Sequence, residues 1–96
     1  MNRDEAVQLL VLHKPVLAQR FGVVSLALFG SRARDETSEG SDVDVLVEFD
    51  GPATSKRYFG VQFHLEDVFG CPVDLVTAKA LRAELRPHVE REALRV

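Results

Sequence analysis

Only one cysteine, Cys71, stands in this chain, so no internal disulfide can form and no multi-cysteine zinc site can be built. That scarcity fits a reducing compartment, and Cys71 itself reads as a small filler beside a turn. Long apolar runs are missing too. No uninterrupted stretch reaches the roughly 20 residues of a membrane span, and the N-terminus sets Asp4 and Glu5 ahead of only a short apolar segment. The expectation is a cytoplasmic protein with no membrane partner. Basic runs are also lacking: acidic residues outnumber lysine plus arginine by 15 to 12, for a formal net charge of −3. Without a basic stripe, neither DNA nor RNA is expected as a direct partner. No internal repeat or low-complexity segment interrupts the chain.

What is present suits a folded chain. With 96 residues, 46% hydrophobic and 28% charged, it has the composition of one small domain spanning 1–96, enough for a layer of sheet covered by a few helices. It is too short for a second substrate-binding domain, so a large substrate must bring its own scaffold. From Asp4 to Arg20, the residues Val7, Leu10, Val11, Val16 and Leu17 recur near helical spacing. Asp4 is a candidate cap and Pro15 predicts a break or kink, giving one or two opening helices. Gly22 marks a stop, Val23 to Phe29 reads as a buried strand, and Gly30 ends it. A polar stretch with the turn residues "TSEGS" leads into "DVDVLVEFD", whose alternation predicts a strand with Val43, Val45, Val47 and Phe49 on one face. Lys56 to Phe69 reads as a helix with Phe59, Phe63 and Val68 on one side, ended by Gly70. "CPVDLVT" gives a third strand with Asp74 facing away from its neighbours, and Ala78 to Val96 a helix interrupted at Pro87. The order is α-β-loop-β-α-β-α, an α/β (α+β) fold with a small mixed sheet flanked by helices.

The chemistry concentrates in three places. Asp42 and Asp44, two apart on a strand, share a face with Cα atoms roughly 6.5 Å apart. Carboxylates that close repel unless a cation lies between them, and oxygen ligands suit Mg²⁺, which takes one or two carboxylates plus water and phosphate oxygens. Asp74 is a third carboxylate that reaches the same point if its strand is a neighbour. Gly30-Ser31 ends the first strand where the chain turns into "SRAR": a glycine lets a phosphate approach the backbone, free N–H groups at a helix start favour an anion, and Ser31 adds a donor. Arg32 and Arg34 add positive charge. Each piece alone reads as a turn or a solvated strand face. Together, a phosphate clamp and a metal clamp point to a nucleoside triphosphate. A Walker loop is excluded, since no Gly-Lys-Ser/Thr follows at the required spacing. An EF-hand fails because Leu46, Val47 and Ala53 stand where a ligand, a glycine and an acid are needed. His13, His64 and His88 are scattered, without ligand spacing, and read as surface or packing residues.

Gly30-Ser31, ten residues, Asp42-x-Asp44 and a later single Asp on a strand form a pattern that resembles the nucleotidyltransferase superfamily related to DNA polymerase β. The short form "LFGSRAR…SDVDVLV…VDLV" looks like the minimal nucleotidyltransferase (MNT) antitoxins, over nearly the whole chain. Asp35 departs from the pattern, standing where many relatives have glycine. The resemblance implies a polymerase β palm-like fold and the antitoxin half of a two-gene module, bound in a hetero-oligomer to a HEPN-domain ribonuclease toxin. It further implies transfer of AMP from ATP to a toxin tyrosine. Asp42, Asp44 and Asp74 would be the catalytic and metal-binding residues, holding Mg²⁺, two ions in the full scheme, and Gly30, Ser31 and Arg32 would bind the nucleotide. Two other readings stay open: an antitoxin acting by contact alone, and a small-molecule nucleotidyltransferase, the latter disfavoured by the lack of extra helical structure.

Overall fold

The computed structural model describes residues 2–34 and 42–96. The expected turn at "TSEGS" and the Asp35 departure lie outside the described residues. In chain order come α1 (Arg3–Phe21), β1 (Val23–Phe29), α2 (Gly30–Ala33), β2 (Val43–Phe49), α3 (Ser55–Phe69), β3 (Val73–Thr77), a 3₁₀ turn (Ala78–Ala80), α4 (Arg86–Glu92) and β4 (Leu94–Arg95). The sheet runs β3-β2-β1-β4, with β1 antiparallel to β2 and β4 and β2 parallel to β3. A parallel pair needs a crossover, and α3 supplies it. Together these give the mixed sheet flanked by helices that the sequence predicts.

The core lies on one face of the sheet. Val43, Val45 and Val47 of β2 are wholly buried there, joined by Leu26 and Leu28 of β1, Leu10 and Leu17 of α1, and Val61 and Leu65 of α3. Strand alternation then sends Asp44, Leu46 and Glu48 to the opposite face, as expected from the sequence.

Local expectations are corrected at several points. Helix α1 is capped by Asn2, whose side chain accepts from the Glu5 N–H at 2.9 Å, and Asp4 lies in the first turn. The helix also runs through Pro15 without dividing, because Pro15 and Val11, whose carbonyl loses its partner, are both exposed and water can satisfy the orphan acceptor. On α3, Phe59 and Phe63 share one side, as expected, and stack on each other, but that side stands 48% and 60% exposed and the buried residues are Val61 and Leu65. The tail is not one interrupted helix: Pro87 sits in the first turn of α4, where its missing N–H costs nothing, and Leu94–Arg95 turns back to pair with β1. Nor are all the histidines scattered, since His13 of α1 meets His64 of α3.

Candidate active site

The register of β2 and β3 brings Asp44 and Asp74 directly opposite each other. Both project from the face away from α1 and α3, because their neighbours Val43, Val45, Val73 and Leu75 are buried in the core. Parallel strands lie about 4.8 Å apart, so the two carboxyl groups stand side by side. The Asp44 carboxyl is pushed up to about 6, first by partial burial, then by the Asp74 charge, the hydrogen bond to Asp74 and the Asp42 charge, with Arg34 acting in the opposite direction. Asp42, exposed and just ahead of β2, is thus near enough for its charge to be felt, but the residue in register with Asp44, and the stronger influence on it, is Asp74.

Helix α3 fixes β3, an edge strand, on both sides of Asp74. The Tyr58 hydroxyl donates to the Leu75 carbonyl, the Gln62 amide donates to the Val73 carbonyl at 3.2 Å, and the Val73 N–H donates to Glu66 Oε2 at 3.0 Å. Edge-strand groups that would otherwise face water are thereby satisfied, and the Asp74 position is defined.

Gly30 sits at the junction of β1 and α2 with φ 73°, and a Cβ placed on it would overlap Asp44 Oδ2. Only glycine satisfies both the left-handed backbone and this close approach. The Gly30-Ser31 turn therefore abuts the Asp44–Asp74 pair, with Ser31 half-buried in the first turn of α2, whose leading N–H groups have no partner within the helix. The Arg32 side chain lies outside the described residues. Arg34, at the end of that turn, pairs with Glu92 of α4 at 2.9 Å, and His88 Nε2 lies 3.4 Å from the same carboxylate. Glu92 is the contributor that sequence reasoning missed, since 58 residues separate it from Arg34 and no local pattern links them.

Among the described residues, no group of three His, Cys, Asp or Glu side chains converges closely enough to hold a metal ion. The expected set of three carboxylates is thus gathered only in part: Asp44 and Asp74 meet, and Asp42 stands apart. The pair itself fits a hard divalent cation, which binds through one or two carboxylates and keeps waters, and whose charge would oppose the burial and the like-charge repulsion that raise the Asp44 carboxyl.

The nucleotidyltransferase domain family matches residues 11–95. The chain belongs to that family. Within the polymerase β-like superfamily it falls among the minimal nucleotidyltransferases. It is 37% identical, over 96 residues covering 97% of the relative, to the protein adenylyltransferase MntA of Thermococcus cleftensis. A solved structure of a proposed minimal nucleotidyltransferase superposes with a TM-score of 0.77 at 34% identity, covering 98% of this chain and 95% of that one. A toxin–antitoxin complex solved with AMP-PNP contains a chain of the same fold, with a TM-score of 0.70 at 20% identity, covering 99% of this chain and 72% of that one. The palm-like nucleotidyltransferase architecture expected from the sequence is therefore the one observed. No described helix is long and apolar enough to cross a membrane.

Proposed function

We propose that this single minimal domain is a protein adenylyltransferase that moves AMP from ATP to a tyrosine hydroxyl of a partner HEPN ribonuclease toxin, and so acts as its antitoxin. The observation that carries the reading is the Asp44–Asp74 pair held in register on the open sheet face with the Gly30-Ser31 turn against it. The similarity to a protein adenylyltransferase supports a protein as acceptor.

Gly30 and Ser31 hold the terminal phosphates of ATP through backbone N–H groups and the Ser31 hydroxyl, and Arg32 adds positive charge. Asp44 and Asp74, together with Asp42, would hold Mg²⁺. Bound there, the ion would supply neutralisation of triphosphate charge and favour ionisation of the acceptor hydroxyl. The tyrosine oxygen attacks the α-phosphorus in line, an O–P bond forms, the α–β bridging bond breaks, and pyrophosphate leaves. Asp74, exposed on its edge strand, takes the hydroxyl proton.

The test is incubation with α-labelled ATP and Mg²⁺, with and without the product of the adjacent gene. Label on that partner, lost in Asp44→Asn by a factor on the order of a hundred or more, is the expected result. Inhibition of the partner without label would instead indicate an antitoxin acting by contact. Full transfer by Asp44→Asn would overturn the assignment of the site.

A further inference from the structure

On the outer seam of the helix layer, remote in sequence from the carboxylates, His13 of α1 and His64 of α3 turn their rings towards each other. Nδ1 of His13 lies 3.1 Å from Nε2 of His64, and the ring centres are 5.1 Å apart at an interplanar angle of 68°. Two Zn–N bonds of about 2.05 Å at a tetrahedral angle put the ligand nitrogens about 3.3 Å apart, and rings in line with those bonds have centres about 5.2 Å apart. Both separations are matched without moving either helix.

We propose that His13 Nδ1 and His64 Nε2 form a binding site for a borderline first-row divalent cation such as Zn²⁺, clamping α1 to α3. Imidazole nitrogen suits this class of ion rather than Mg²⁺, so the site is chemically distinct from the carboxylate pair. The metal takes the two lone pairs. The hydrogen now shared between the nitrogens moves to the other nitrogen of its own ring, so both imidazoles stay neutral and no proton is gained or lost.

The surroundings determine the strength. Asp67, three residues after His64 on the same helix, contributes negative charge that favours a cation, and Arg20 of α1 opposes it. Burial, His13 and Arg20 together keep His64 below the usual histidine range, which leaves its lone pair available at neutral pH. No third protein ligand joins the two rings among the described residues, so water completes the coordination. Both rings are part-buried rather than sealed, which leaves the ion a path from solvent.

Tag-free protein titrated with Zn²⁺ in the presence of excess Mg²⁺, followed by calorimetry and by long-range ¹H–¹⁵N correlation of the imidazoles, tests the proposal. One equivalent should bind, shifting His13 Nδ1 and His64 Nε2 and not His88. His13→Gln and His64→Gln, each checked for native circular dichroism, should weaken binding at least tenfold, whereas Asp44→Asn should bind Zn²⁺ as the parent does. Binding that survives both glutamine variants, binding that disappears with Asp44→Asn, or no binding at all would overturn the site.

Discussion

Asp44 is subject to opposing requirements. The fold places it against Asp74 on one side and Gly30 on another, in partial burial, where a negative charge is disfavoured; the proposed chemistry needs that charge. The consequence for stability has a definite sign. An aspartate ordinarily near 3.8 that is raised to about 6 in the folded state binds more protons when folded across that interval. Stability of the metal-free protein therefore falls as pH rises through the window, and the full penalty is present above about 6. Removing the charge should remove the penalty. At pH 7 in EDTA, Asp44→Asn should be more stable than the parent by on the order of 1 kcal/mol, a figure discounted for solvent screening of a half-exposed carboxylate. The gain should vanish below about pH 4. Urea midpoints at pH 4 and pH 7 measure both, and an asparagine variant less stable at pH 7 would show that the pair is not under electrostatic strain. His64 has the opposite pH sense: lowered in the fold, it favours the unfolded chain as pH drops below the ordinary histidine value of 6.5.

At the scale of the elements, α1 shows how far context overrides a local rule. Pro15 removes one helical hydrogen bond and still leaves nineteen residues of unbroken helix, since Leu10 before it and Leu17 after it are both wholly buried and anchor the two halves to the same core. The cost persists in the folded state, so Pro15→Ala should stabilise the protein by about 1–3 kcal/mol, read as an increased urea midpoint with an unchanged slope. A loss of stability would mean that the proline packs in a way its exposure does not indicate. The same contrast explains what was legible in the sequence. Strands β1, β2 and β3 announce themselves, because β1 is a short, mostly apolar run, β2 and β3 set Asp44 and Asp74 between buried apolar residues, and Gly22, Gly30 and Gly70 punctuate the chain at positive φ. The site followed from spacing: Asp44 and Asp74 meet because both strands carry their acid second, after a buried valine, and pair in register. Strand β4 was not legible, since two residues are too few for a period and their pairing with β1 spans most of the chain. Which face of α3 is buried was not legible, since Phe59 and Phe63 outrank Val61 and Leu65 in size and size does not decide orientation; Gly60 does, since a Cβ there would strike the Phe21 ring, so that side must face α1.

Across the whole molecule, core and site are two faces of one sheet. The valines that bury β2 against α1 and α3 are the reason its acids face outward, and the register of β2 with β3 keeps the Asp44 and Asp74 positions side by side for as long as the two strands pair. A cation bound between the two carboxylates would offset their repulsion in the folded state alone, which would link binding to folding. A ligand at a hundredfold excess over its Kd that binds only the folded state adds about 2.7 kcal/mol. In a domain of this size each kcal/mol raises Tm by about 4–8 °C, so saturating Mg²⁺ with a non-hydrolysable ATP analogue should raise Tm by about 10 °C or more at pH 7. The rise should shrink towards pH 5, where protons compete for Asp44, and Mg²⁺ should contribute little to it in Asp44→Asn. If the parent and Asp44→Asn gained equally from Mg²⁺, the cation would be binding elsewhere, and the register of β2 and β3 would be a structural pairing without the proposed role.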